Sequence, residues 1–263
     1  MITLSRVIAA LIVVAPFSAM AAPKKTAIVL VHGAFETSDV WGQVAKKLQN
    51  DGYDVKNVAL PGRRGNPLAT GDVSLALYQK SISEAIASET RPVVLVGHSF
   101  GGFAISAEAE AEPTKIKTLV YVAAYIPKNG QSLLTLATAD KDSKLGPILK
   151  IDKEAGHASV DPAAGSAVFA NDAPANVQAM VAAGIVDEPL APLATPVMLS
   201  AARFGKVDKV AIHTLRDEVV SPSLQTMMAQ TVSLRMTMKI DTGHTPFITK
   251  PDILAREIER AAR

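Results

Sequence analysis

Residues 94–102 read VLVGHSFGG, and the chain continues FAISAEAEAE. A continuous apolar run therefore meets a serine fenced by Gly97 and Gly101, and small, helix-favouring residues follow at once. A strand, a sharp turn and a helix packed into so few residues form a G-x-S-x-G junction. Glycines are needed on both sides because strand and helix backbones approach closely there. Such a turn holds the Ser99 hydroxyl out beyond the end of a strand, so the chain has to supply a sheet around that strand.

The rest of the sequence does so. TAIVLVH (26–32), YDVKNVAL (53–60), PVVLVGH (92–98), KTLVYVAAY (117–125), KVAIHTL (209–215) and LRMTMKI (234–240) predict strands. Several are apolar throughout, as strands covered on both faces are. Segments 41–51, 73–88, 102–111, 222–230 and 251–262 have helical spacing, with Pro222 and Pro251 suited to a first helical turn. This alternation predicts an α/β fold: a mostly parallel sheet of about six strands flanked by helices. Residues 127–195 are too long for a simple crossover and carry the apolar segment VQAMVAAGIV, which predicts an inserted helical cap. Residues 22–126 and 196–263 then form the core.

The first 21 residues read differently. Arg6 precedes an apolar run, Val7 to Phe17, and Ala19-Met20-Ala21 offers a small-residue cleavage site. The run is shorter than the roughly 20 residues of a bilayer span and contains Pro16, so it reads as a cleaved signal peptide and predicts a periplasmic or secreted protein. The chain has no cysteine, so its stability must come from its core. Twenty-seven basic and 25 acidic residues give a net charge of +2, which excludes a nucleic-acid footprint and, once the leader is removed, a membrane-binding one. Cofactor and metal chemistry find no support: there is no G-x-G-x-x-G fingerprint and no cysteine cluster.

A serine hydroxyl attacks only with a neighbouring base, itself oriented by a carboxylate. On a sheet of this kind the partners follow in the order serine, acid, histidine, each just after a strand. Of the histidines at 32, 98, 157, 213 and 244, only His244 lies between a late strand and the last helix. His213 falls inside a strand pattern, His157 in the cap, and His32 reads as a structural residue of its loop. Asp217 and Glu218 both follow the strand that ends near Leu215; Asp217 is closer and is the preferred acid. Asp241 reads as a turn residue, and Asp187 as a distant fallback. An oxyanion needs two backbone donors, expected from Phe100, after the serine, and from Ala34, in the HGAF loop that Gly33 lets turn. Phe35, Trp41 and Phe103 are expected to add apolar surface.

VLVHGAFETSDVWGQVAKKLQNDGYDV, VALPGRRG, VVLVGHSFGG, LVYVAAYIP and GHTPFITKP together resemble the α/β-hydrolase superfamily, and within it the methyl esterase and hydroxynitrile lyase branch. The resemblance covers nearly all of residues 26–262 and is weakest in the cap. It implies an α/β-hydrolase fold, Ser99, Asp217 and His244 as a triad, Ala34 and Phe100 as oxyanion donors, no cofactor, and a small-molecule ester as substrate. Lyases of that branch carry a threonine after the first-strand histidine and a lysine after the catalytic one; this chain has Gly33 and Thr245, which favours hydrolysis. The alternatives are a lyase-like enzyme and a non-catalytic binding protein on the same fold.

Overall fold

The computed structural model describes residues 25–263; the leader read over residues 1–21 lies outside them. The first part alternates β1 (Ile28–Val31), α1 (Gly42–Asn50), β2 (Val55–Val58), α2 (Leu75–Ile86), β3 (Val93–His98), α3 (Gly101–Ala111) and β4 (Ile116–Val122). An intervening stretch carries α4 (Leu133–Ala139), β5 (Leu149–Asp152), β6 (His157–Val160), α5 (Pro162–Phe169), α6 (Ala175–Gly184), β7 (Glu188–Pro189) and α7 (Leu190–Ala194). The chain resumes with β8 (Asp208–Thr214), α8 (Pro222–Ala229), β9 (Met236–Ile240), α9 (Pro246–Thr249) and α10 (Pro251–Ala262).

Six strands pair in the order β2-β1-β3-β4-β8-β9, every pair parallel. The serine-bearing strand β3 lies at the centre and is buried at all six positions. The apolar run Val93 to Val96 follows, because helices cover both faces. On one face α1 and α10 bury helical stripes, Val44, Ala45 and Leu48 against Leu254, Ala255, Ile258, Ala261 and Ala262, at spacings that return to one side of a helix. α2 and α3 cover the other face. Each aliphatic side chain of Leu or Ile size that is fully buried this way contributes about 1.5–3 kcal/mol. The helices start where local chemistry lets them: Ser74 accepts the Leu77 N–H, and Ser221, just ahead of Pro222, accepts the Leu224 N–H.

The expected helical cap is only partly helical. β5, β6 and β7 form a three-stranded antiparallel sheet within it. These strands are two to four residues long, and in HASV only Ala158 and Val160 are buried, too short a pattern to read as a strand. No helix among the described residues is long and apolar enough to cross a membrane.

Candidate active site

Ser99 occupies the turn between β3 and α3 with φ of 51°, in the left-handed region, a conformation that costs a non-glycine residue about 1–3 kcal/mol. The surroundings hold it there: Ser99 N–H donates to the Val122 carbonyl at 3.2 Å, and the Ser99 carbonyl accepts from Gly102 and Tyr125 at 3.1 Å each. The glycines are required by contact. A Cβ on Gly97 would meet the Gly101 carbonyl carbon at 2.8 Å, and one on Gly101 would meet the His32 carbonyl oxygen at 2.8 Å.

Asp217 lies just beyond β8 and is fixed on every side. Its Oδ1 accepts the N–H groups of Val219 (2.8 Å) and Val220 (2.9 Å), and its Oδ2 accepts Thr214 Oγ1 at 2.7 Å. The same Oδ2 lies 2.9 Å from His244 Nδ1. A carboxylate only accepts, so Nδ1 carries the proton and Nε2 of the neutral ring is left with a lone pair. Neither Nε2 nor Ser99 Oγ has a hydrogen-bond partner among the described residues, and both side chains line one pocket. Glu218, the other carboxylate of the loop, turns outward to Lys144 at 2.5 Å, and Asp241 pairs with Arg216 at 2.8 Å. Asp187 stands 3.7 Å from His157 in the cap, away from this pocket.

The pocket is walled by apolar side chains from the core and cap, including Leu133, Leu145, Leu149, Phe169, Leu193 and Val219. Ala34 and Phe100 line it too. Among the described residues neither of their backbone N–H groups meets an acceptor, which leaves both available to a bound oxyanion. Of the expected aromatic neighbours only Phe35 lines the pocket; it stacks on Phe169 with centroids 6.2 Å apart. Trp41 packs instead on Phe247 behind the sheet end, and Phe103 sits in the core against Phe100. Gly33 is needed for a reason other than the turn: a Cβ there would stand 2.8 Å from Ser99 Cβ, and the residue with positive φ in that loop is Phe35, at 62°. Thr245 is buried and donates to the Phe169 carbonyl at 3.1 Å, tying the histidine loop to the cap.

Four charged residues that the pattern does not reveal surround this constellation. His98 Nδ1 lies 3.0 Å from Glu36 Oε2 and its Nε2 lies 2.9 Å from the His244 carbonyl oxygen. Both acceptors are oxygens, so both ring nitrogens carry protons and His98 is an imidazolium. Burial alone would lower its pKa, but the Glu36 charge and hydrogen bond outweigh that and hold it above the usual histidine value. Glu36 is the mirror case. Burial pushes its pKa up, and the charge and hydrogen bond of His98 bring it below the ordinary carboxylate value. Arg63, from the PGRRG loop, and Glu188, from β7, form a buried pair at 2.7 and 2.9 Å, and Tyr78 donates to the same carboxylate at 2.9 Å. His32 is structural: it accepts the Leu60 N–H at Nε2 (3.2 Å), donates from Nδ1 to the Gly33 carbonyl (2.8 Å), and burial with Arg63 nearby holds its pKa down to about 3.

Serine, aspartate and histidine arriving in that chain order at the carboxyl ends of β3, β8 and β9, beneath a cap, define an α/β-hydrolase. The sequence profile of the Alpha/beta hydrolase family matches residues 28–257, and the chain belongs to that family. Two chloroplastic proteins of Arabidopsis thaliana, named Putative methylesterase 14 and Putative methylesterase 11, are 30% and 29% identical to it over 86% and 89% of this chain. The chain spans 69% of the length of the first and 63% of the second. Among solved structures, a pyrethroid hydrolase from Sphingobium faniae JZ-2 superposes with a TM-score of 0.77 at 22% identity, covering 90% of this chain and 97% of that one.

Proposed function

We propose that this protein is a serine esterase that hydrolyses neutral, apolar carboxylic esters through an acyl-enzyme. The observation that carries the reading is the 2.9 Å bond between Asp217 and His244 Nδ1, which leaves Nε2 basic in the same pocket as the strained Ser99. In the proposed cycle Ser99 Oγ attacks the ester carbonyl while His244 Nε2 takes its proton, and the Ala34 and Phe100 N–H groups bind the oxyanion. The protonated His244 then gives its proton to the departing alkoxide. Water, deprotonated by His244, releases the acid in a second pass. Each oxyanion donor in such a site is worth about 3–4 kcal/mol of transition-state stabilisation.

The substrate class follows from the walls. Among the described residues no lysine or arginine lines the pocket to pair with a free carboxylate or phosphate, and Leu133, Leu145, Leu149 and Leu193 favour an apolar acyl or alcohol group. The methylesterase names of the Arabidopsis relatives and the pyrethroid hydrolase fold neighbour support an ester substrate. Lyases of the branch resembled above carry a lysine directly after the catalytic histidine, and at that position Thr245 supplies a hydroxyl committed to the cap. The leader over residues 1–21 supports export to the periplasm or beyond, with a mature chain beginning at Ala22.

Hydrolysis of a p-nitrophenyl acyl series by the mature protein and by Ser99→Ala tests the reading. Turnover that rises with acyl chain length and disappears in the variant is the expected result. A folded wild-type protein without turnover on any member would transfer the assignment to a binding protein, and turnover that survived Ser99→Ala would remove Ser99 from the mechanism.

A further inference from the structure

Three consecutive backbone N–H groups in the loop after β1 have different fates. Gly33 N–H donates to Glu36 Oε2 at 2.8 Å, and Phe35 N–H donates to Glu188 Oε2 at 3.2 Å. The N–H between them, that of Ala34, meets no acceptor among the described residues and lines the pocket. Both carboxylates are themselves held from behind, Glu36 by His98 at 3.0 Å and Glu188 by Arg63 and Tyr78. His98 reaches on to the His244 carbonyl at 2.9 Å, so one chain of contacts joins the oxyanion loop, the serine strand and the histidine loop.

We propose that Glu36 and Glu188 are positioning residues for the oxyanion donor, each fixing the N–H on one side of Ala34 so that the Ala34 N–H is the one presented to substrate. The inference rests on the serine esterase reading. Two further features support it. Phe35, the residue beside Ala34, has φ of 62° and has to be held in that conformation by its surroundings. As mere stabilisers, two buried ion pairs are a poor choice, because well-packed apolar residues commonly do as well or better, whereas a charged acceptor gives a short, directional bond to an N–H. Glu188 belongs to the cap, so on this reading the cap builds part of the reaction site besides covering it.

The test compares Glu36→Gln, which keeps an acceptor oxygen for the Gly33 N–H, with Glu36→Met, which has similar length and no such acceptor, and repeats the pair at Glu188. For each variant, kcat and KM on a p-nitrophenyl ester, affinity for an acyl trifluoromethyl ketone that forms a tetrahedral adduct on serine, and melting temperature are measured. The methionine variants are expected to lose about 10- to 100-fold in kcat, with KM within about threefold of wild type, and to lose ketone affinity in parallel. The glutamine variants are expected to regain most of both. Folded variants that melt earlier yet keep wild-type kcat and ketone affinity would reduce both carboxylates to structural roles and overturn the proposal. So would a change confined to KM, which would make Glu36 a substrate contact. Should Glu188→Met fail to fold, the Glu36 pair decides. A wild type without turnover sinks the esterase reading itself; an active wild type with indifferent Glu36 variants sinks only this inference.

Discussion

Two histidine–carboxylate pairs lie side by side in this molecule, His244 with Asp217 and His98 with Glu36, their imidazole centroids 4.6 Å apart. They share chemistry and burial but differ in one nitrogen. His244 gives one ring nitrogen to a carboxylate and keeps the other without a partner among the described residues, in the pocket that Ser99 also lines. His98 gives one to a carboxylate and the other to a backbone carbonyl, so it has nothing left with which to move a proton. A histidine with one nitrogen spare can act as a reagent, and a histidine with both committed serves as a fixture.

The sharpest way to break the comparison is to remove each ring in turn. Truncating His244 to alanine is expected to lower kcat about 10⁴- to 10⁶-fold while the protein stays folded. Asp217→Asn, which leaves the ring in place with the wrong proton, is expected to cost up to about 10⁴-fold, less than losing the base; full activity in that variant would remove Asp217 from the mechanism. His98→Asn should behave in the opposite sense, losing only about tenfold in kcat but about 3–5 kcal/mol of stability, measured by urea unfolding, because Glu36 is left buried without its counter-charge. An equal loss of activity from the two histidine variants would erase the distinction.

pH supplies the gentlest probe. The Glu36–His98 pair contributes its full stability between the ordinary carboxylate pKa that Glu36 has in the unfolded chain and the ordinary imidazole pKa that His98 has there. The contribution drains away as pH falls from the first through the lowered folded pKa of Glu36, or rises from the second through the raised folded pKa of His98. His32 works the other way: with a folded pKa of about 3 against 6.5 when unfolded, it stays neutral while the unfolded chain takes up a proton. Stability therefore declines on acidification by about 1.4 kcal/mol per pH unit across that window, close to 5 kcal/mol in all. Urea curves for wild type and His32→Gln, collected from pH 7.5 to 4.5, should converge at that slope as pH falls.

Much of this site was legible in the sequence because its signals are local. Ser99 announces itself through glycines two residues away on either side, and His244 and Asp217 through their places just after strands whose apolar runs are unmistakable. What escaped depends on distant partners. No local pattern marks Glu36, whose partner His98 is brought to it by β3, or Arg63, whose partner Glu188 lies 125 residues further on and meets it in the interior. The sequence presents Gly33 as a turn glycine, yet its need arises from the approach of the Ser99 side chain, which no local pattern records. The cap sheet was hidden for the same reason, since β6 has one partner in β5 and another in β7 across two helices.

The Arg63–Glu188 pair also sets a rule for anyone who would re-engineer specificity by exchanging caps. Arg63 stays with the core and Glu188 leaves with the insert, so a transplanted cap without a carboxylate at that point strands a guanidinium in the interior, at a cost of about 3–5 kcal/mol, a large share of a typical domain's margin. Chimeras should therefore be partitioned by counter-ion rather than by domain boundary: graft the insert together with position 63, or keep residue 188 and vary only the leucines.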